Sequence, residues 1–476
     1  MKTILCNLGY IIKKKDLTEK QLQQIYKDLN VKPFIRGRRG RFAKTFKVYF
    51  ENKKKICVPK FYGIEKFGFP NLIDLNNGNN INVKFNGSMR DYQETVINKV
   101  LPLIKNQKGG TICLPPGRGK TVIACKLISL LKTKTLVIVH KTFLLNQWIK
   151  RINFFLPNAK IGKIQGPKID IEDKDIVIGM LQSISLKDDY PEDIFDSFGF
   201  LIMDECHHIS SEKFSQLFQK VNTKYMIGLS ATPFRDDKLE KVINWYIGDL
   251  IYYEKPKINQ EILVNIYKFE IEHENFRMIY NKFTKEAQVS TMESRLIEIK
   301  ERNLFIANLV KQFRKTKERK ILVLSSRLEH LDFIRNYVNE FNIGTTSKYV
   351  GGMKQKLLDE AEHADIIFST YSMSSEALDI SSLNTVILAT SRRKVEQSTG
   401  RILRKQKGNY KVIPLIIDIV DKIKTFINQS YTRKAYYKKI TKEENIKSFI
   451  YKNKEIKEEI KKKKVKEELF VDSDSE

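Results

Sequence analysis

Residues 111–121 read Thr111-Ile112-Cys113-Leu114-Pro115-Pro116-Gly117-Arg118-Gly119-Lys120-Thr121, and the rest of the chain is best read outward from them. Ile112, Cys113 and Leu114 form the short apolar run of a buried strand, and Pro115-Pro116-Gly117 breaks it. Val122 to Leu131 then shows helical apolar spacing. Strand, glycine-rich turn, Lys-Thr and helix together make a phosphate cradle. The glycines let backbone N–H groups converge on phosphate oxygens, and the helix N-terminus favours an anion. Pro116, Gly117, Arg118, Gly119, Lys120 and Thr121 are therefore the candidate nucleotide-binding residues. Lys120 would reach the β- and γ-phosphates, and the Thr121 hydroxyl would hold Mg²⁺. Leu114 stands where the full pattern has Gly or Ala, and a plain glycine turn ahead of a helix has the same local form.

From Asn86 onward, short apolar runs alternate with helical stretches. The runs are 111–114, 135–139, 175–179, 200–204 and 226–230. Strands that are nearly unbroken apolar runs, separated by helices, predict a parallel sheet covered on both faces. Ligands of such sheets bind beyond the carboxyl ends of the strands, and the polar clusters GRGKT, HKTFLLNQW, MLQS, ECHH and ATP-Phe all fall there. After a helical, polar stretch from about 255 to 318, a second set of runs follows at 320–326, 365–370, 384–390 and 412–420. Only the first set carries a phosphate cradle.

Upstream, Thr18-Glu19-Lys20-Gln21 is a capping box opening a helix with Leu22, Ile25 and Leu29 on one face. Ile35 to Phe42 is a basic, glycine-punctuated loop carrying Arg36, Arg38, Arg39 and Arg41, either a phosphate-backbone contact or a solvated surface. FKVYF and KICVP read as a hairpin around Glu51-Asn52-Lys53-Lys54. Beyond about 430 the chain turns Lys/Glu-rich and reads as a solvated helix or a disordered tail with an acidic end from Asp472, in which Lys461 to Lys464 reads more readily as a solvated charge run than as a nucleic-acid or nuclear-import patch. The expected organisation is an N-terminal accessory domain (1–85), a nucleotide-binding domain (86–255), a helical connection (256–300), a second sheet domain (301–430) and a charged tail (431–476).

A chain of 476 residues can hold two to four domains, and 41% hydrophobic residues fit globular protein. No apolar run approaches ~18 residues, and the N-terminus lacks a signal-peptide pattern, so a membrane span or secretion signal is not expected. Five cysteines without paired spacing indicate neither a zinc site nor a disulfide framework and favour a reducing, intracellular, soluble setting. A net charge of +30 points to a polyanionic partner, nucleic acid foremost, although an AT-rich coding bias would also enrich lysine.

With Asp204-Glu205-Cys206-His207 added to the phosphate cradle, the chain resembles superfamily 2 helicases and translocases of the DExH type over roughly residues 86–425. Arg90-Asp91-Tyr92-Gln93 resembles the family's adenine-reading segment, which assigns Arg90 and Gln93 to the nucleotide. HKTFLLNQW, GMLQS and Ser230-Ala231-Thr232-Pro233 match further motifs in the family's order. Thr370 to Asp379 resembles motif V with Ala377 in place of the usual Gly, and Gln397 to Arg404 matches motif VI with Ser398 where many members carry Arg. Asn146-Gln147-Trp148 and Arg235-Asp236-Asp237 look like the XPB and UvsW branch. Other segments resemble helicases of large nucleocytoplasmic DNA viruses, relatives of the poxvirus transcript-release helicase, which implies a viral, cytoplasmic or nuclear setting. The resemblance implies an α/β chain of two tandem RecA-like parallel-sheet domains, with a small α+β N-terminal domain and a charged C-terminal tail.

The family's chemistry is ATP hydrolysis with Mg²⁺. Asp204, ending an apolar strand, would hold the ion with Thr121, and Glu205 would polarise the attacking water. Gln397, Arg401 and Arg404 would be catalytic. The two arginines are three apart, share a helix face and could serve as arginine fingers supplied across a cleft. Thr142, Ser183, Ser185 and Thr370 are candidate polymer contacts, and His207 and His208 would couple the ATP site to the polymer rather than bind metal. The leading expectation is an ATP-driven helicase or translocase acting on DNA, with transcription or repair machinery as partners. An RNA helicase and an ATP-switched accessory factor without unwinding are the alternatives.

Overall fold

A computed structural model of the chain describes residues 2–34, 43–186, 190–191, 193–208, 215–232, 235, 237–255, 261–376, 378, 380, 382–403 and 411–459. The chain divides into two compact units, Met1–Pro256 and Lys257–Glu476.

The first unit opens with β1 (Thr3–Cys6), β2 (Gly9–Lys13), β3 (Asn30–Val31), β4 (Phe46–Lys47), β5 (Phe50–Glu51), β6 (Lys55–Val58) and β7 (Leu72–Asp74). Five of these form a sheet in the order β5-β6-β2-β1-β7, and β3 pairs with β4. The capping box closes as expected: Gln21 N donates to Thr18 Oγ1 at 3.2 Å, and Thr18 N donates to Gln21 Oε1 at 2.9 Å. Asn52 forms the hairpin turn, its Oδ1 accepting from Lys54 N and Lys55 N. FKVYF is not one strand, however. Its ends pair with different partners, Phe46–Lys47 with β3 and Phe50–Glu51 with β6.

Helix Lys60–Phe67 packs on β2 so closely that a Cβ at Gly63 would lie 2.2 Å from the Tyr10 ring. Its other face meets helix Glu240–Ile247, where Tyr62 and Trp245 pack edge to face at 5.5 Å. One hydrophobic cluster holds Ile12, Leu29, Ile56 and Tyr62 together with Leu201, Met203, Val242 and Ile247. The accessory segment therefore shares its core with the sheet that follows.

That sheet consists of β8 (Gly109–Cys113), β9 (Thr135–Val139), β10 (Ile161–Gln165), β11 (Lys168–Asp170), β12 (Ile176–Met180), β13 (Phe200–Asp204), β14 (Tyr225–Ser230) and β15 (Leu250–Tyr253). Among the described residues the order is β11-β10-β12-β9-β13-β14-β8-β15, parallel except for β11. Central strands β8, β9 and β12 are buried at every position, which is why they read as unbroken apolar runs. The runs at 135–139 and 200–204 coincide with β9 and β13.

The second unit carries β16 (Leu263–Phe269), β17 (Ile321–Ser325), β18 (Thr346–Tyr349), β19 (Ile366–Thr370), β20 (Thr385–Leu388), β21 (Leu415–Asp421), β22 (Ile446–Lys452) and β23 (Glu455–Glu458), in the order β18-β19-β17-β20-β21-β16-β22-β23. Two expectations are corrected here. The stretch expected to be helical and polar from 255 contributes β16, which pairs in parallel with both β21 and β22. The segment beyond 430 is not a solvated tail through its described part. Helix Lys424–Ile440 buries Phe426, Arg433, Tyr437 and Ile440, and β22 and β23 extend the sheet as a hairpin. Residues 446–452 read IKSFIYK, a strand half-buried over most of its length with no unbroken apolar run, so the sequence does not announce it.

Both large sheets have the RecA-like, mostly parallel architecture, preceded by a small α+β segment. No helix among the described residues is long and apolar enough to cross a membrane. The four arginines of loop 35–42, Lys461 to Lys464 and the acidic end lie outside the described residues.

Candidate nucleotide site

The carboxyl ends of β8, β9, β12, β13 and β14 carry the five polar clusters. After β8, Leu114 is fully buried, so the apolar strand simply runs one residue further into the core. Gly117 and Gly119 turn the chain with φ of +79° and +75°, a conformation glycine adopts without strain. At Gly119 a side chain has no room as well, since a Cβ would stand 2.4 Å from Gln93 Nε2. Helix Lys120–Leu131 starts immediately after, with Gly119 as its N-cap, so the free amides of its first turn face the loop.

Lys120 Nζ donates to the Leu114 carbonyl at 3.4 Å and lies 4.0 Å from Glu205 Oε1. The structure thus brings the cradle lysine and the carboxylate after β13 together from positions 85 residues apart. Thr121 sits half-buried in the first helical turn. Asp204 closes β13, where Oδ2 accepts from Trp148 Nε1 at 2.8 Å and Oδ1 accepts from Glu205 N at 3.0 Å. Burial, and then the neighbouring Glu205 charge, push the Asp204 carboxyl up to about 6. Glu205 has the left-handed φ of +47°, and its buried Oε2 accepts no hydrogen bond. His207 Nδ1 approaches that oxygen at 3.4 Å and the β14-end Ser230 Oγ at 3.5 Å.

Arg90 precedes helix Asp91–Gln107, and Gln93 is buried in its first turn. Gln93 Nε2 and Tyr92 OH both donate to the Arg118 carbonyl, at 3.4 and 3.2 Å. The Arg118 guanidinium stacks 3.6 Å from the Tyr92 ring centroid and makes a two-point ion pair with Glu254 after β15, at 3.1 and 2.5 Å. Sequence reasoning missed Glu254 and the Trp148–Asp204 bond. Each joins residues far apart in the chain, and no local pattern announces either.

Among the expected polymer contacts, Ser183 Oγ accepts from Gly166 N at 2.8 Å and Thr142 Oγ1 accepts from Gln165 at 3.2 Å. Ser185 is buried, which removes it as a surface contact. Arg235 pairs with Asp237 at two points, 2.8 and 2.5 Å, and Phe34 N donates to the Asp237 carbonyl. In the second unit, Gln397 is half-buried on the short helix Glu396–Thr399. Arg401 sits in a 3₁₀ turn, Gly400–Leu403, rather than further along a helix face, and Nη1 donates to the Leu378 carbonyl at 2.9 Å. Arg404, Pro233, Asp236, Ala377, Asp379 and the His208 side chain lie outside the described residues.

Residues 86–235 match the family described as "Type III restriction enzyme, res subunit". The chain is 36% identical over 449 residues to "Putative ATP-dependent RNA helicase L396" of Acanthamoeba polyphaga mimivirus, spanning 92% of this chain and 86% of that protein. It is 35% identical over 164 residues, 34% of this chain and 35% of the other, to "DNA 3'-5' translocase XPB2" of Sulfurisphaera tokodaii. The fold is similar to a solved fragment of "a putative HsdR subunit of a type I restriction enzyme" from Vibrio vulnificus. That likeness has a TM-score of 0.53 at 19% identity and covers 79% of this chain and 71% of that one.

Proposed function

The chain belongs to the superfamily 2 ATP-dependent helicases, and from this we propose that it couples ATP hydrolysis to movement along nucleic acid, DNA foremost. The observation that carries the reading is the meeting of Lys120 with Glu205 beside the helix start at Gly119. That arrangement offers a cation and free amides to a triphosphate and a carboxylate to a water. Glu205 has one buried oxygen that accepts no hydrogen bond, as a group that takes a proton from water requires.

Asp204 and Glu205 set two carboxylates side by side, and burial beside the Glu205 charge raises the proton affinity of Asp204, so the pair fits a divalent cation. Asp204 and Thr121 would hold Mg²⁺. When bound, the ion supplies charge neutralisation at the β- and γ-phosphates. Trp148 fixes the Asp204 carboxylate, while Gln93 and Tyr92 hold the loop carbonyl at Arg118. Arg90 and Gln93 are assigned to the base, and Gln397, Arg401 and Arg404 to catalysis from the second unit.

The test is ATP turnover measured with no polymer, duplex DNA, single-stranded DNA and RNA, side by side. Lys120→Ala should abolish turnover. Glu205→Gln should bind ATP yet hydrolyse it at least a hundredfold more slowly, the order of a lost acid–base contribution. Wild-type turnover in both variants would remove the proposed site. Greater stimulation by RNA than by DNA would favour the second reading, an RNA helicase, which the name of the mimivirus relative supports. ATP binding without turnover on any polymer would leave an ATP-switched accessory factor.

A further inference from the structure

In the second unit, residues 275–288 leave the fold as a short closed loop. A bridge pairs Tyr280 with Ala287, Asn281 N donates to the Glu286 carbonyl at 2.8 Å, and Gln288 N donates to the Ile279 carbonyl at 2.8 Å. Inside the loop Asn281 Oδ1 accepts from Phe283 N and Thr284 N, both at 2.9 Å, and Lys285 N donates to the Asn281 carbonyl. The root is fixed too, since Phe276, Met278, Ile279, Ala287 and Val289 pack on a core of Met292, Leu296, Ile299, Ile423 and Phe426.

At the tip of this tied loop Phe283 is 91% exposed, the largest exposure among the large hydrophobic side chains described. Tyr280 at the base is 53% exposed. Burying a Phe side chain is favourable, so a ring held in solvent by an ordered turn forgoes a gain the fold could otherwise collect. Within the same loop Arg277, Lys282 and Lys285 are exposed, the two lysines flanking Phe283 in sequence, and Glu286 is half-buried. An aromatic face between cations is the combination that binds unpaired bases and their phosphates, because every base offers a π-face and every nucleotide a negative charge. An acidic protein surface would match the lysines but gives no reason for the bare ring.

We propose that the Tyr280–Ala287 loop is a contact for single-stranded nucleic acid, in which Phe283 stacks on a base and Lys282 and Lys285 hold adjacent phosphates. The proposal rests on the nucleic-acid reading above. It does not depend on which polymer is used, because DNA and RNA share the stacking chemistry.

The experiment is equilibrium binding of the full chain to labelled oligothymidylate, oligouridylate and an abasic strand of equal length, across a salt series. Phe283→Ala and Phe283→Leu should each weaken binding to base-bearing strands roughly five- to hundredfold. Phe283→Trp should retain it, and the abasic strand should bind Phe283→Ala and wild type alike. Lys282→Gln with Lys285→Gln should flatten the log affinity–log salt slope by about 1.4, while Phe283→Ala leaves the slope unchanged. Loss on only one of the two base-bearing strands would identify the polymer. The melting temperature of Phe283→Ala should match wild type, since the ring buries nothing. Wild-type affinity in Phe283→Ala or Phe283→Leu overturns the stacking contact alone, as does an equal loss on the abasic strand. If the wild-type chain binds none of the strands, the nucleic-acid reading falls with it.

Discussion

At the residue scale, Arg118 departs most from what its place in a glycine-rich loop would suggest. Its backbone carbonyl is held by Tyr92 and Gln93, its guanidinium plane by the Tyr92 ring and its charge by Glu254. A planar, two-point pair of this kind sets geometry as well as energy, and a lysine could not reproduce it. The four contacts pre-shape the loop before nucleotide arrives, so the ordering cost of binding is smaller. Glu254→Gln should therefore weaken ATP affinity about fivefold, close to 1 kcal/mol, while kcat stays within about twofold. Nucleotide titration together with steady-state turnover checks this. An unchanged Kd would make the pair a surface ornament, and a tighter Kd would mean that Glu254 withholds Arg118 from phosphate.

At the element scale, the β21 strand carries two buried ion pairs, one at its middle and one at its end, that tie the second unit together. Arg302 Nε and Nη2 donate to Asp421 at 2.6 and 3.0 Å, and Arg433 Nε donates to Asp418 at 2.8 Å. Arg433 Nη1 also donates to Ser391 Oγ and the Arg392 carbonyl, and Tyr437 OH donates to Asp418. Helix Lys424–Ile440 thereby fixes the segment that leads from β20 into Gln397 and Arg401. Arg433→Met keeps the volume but leaves Asp418 charged and buried. It should lower unfolding stability by about 3–5 kcal/mol, read as a shifted denaturation midpoint, and Asp418→Asn in the same chain should restore part of the loss. A change under about 1 kcal/mol in the single variant would show that water enters to serve Asp418.

At the scale of the whole molecule, the accessory segment is joined to the first sheet through an ionisable group. Lys60 is buried, and Nζ donates to the Thr223 and Lys224 carbonyls at 3.3 and 3.2 Å. Burial, with a smaller contribution from Lys108, pulls its pKa from 10.5 down to about 7. Between those values the unfolded chain keeps a proton that the folded chain has released, so folded stability must rise with pH over that window and stay flat below it. Relative to Lys60→Met, wild type should gain on the order of a few kcal/mol between pH 7 and 10, measured as the difference in melting temperature. A constant difference across that range would mean that the ammonium is hydrated in the folded state.

The sequence alone determined the two parallel sheets, the cradle from Pro116 to Thr121 and the carboxylates Asp204 and Glu205. These depend on unbroken apolar runs and on turn chemistry, both of which are local. Tertiary structure alone decided the rest. Strands β16, β22 and β23 follow β21 in the second sheet, with β23 at its edge, and none carries the unbroken apolar run of a central strand. The bonds of Trp148 to Asp204 and of Glu254 to Arg118 span 56 and 136 residues. The burial that lowers the Lys60 pKa comes from a core built by segments at opposite ends of the first unit. In each case the deciding energy belongs to a contact between distant residues, and only the folded chain brings those residues together.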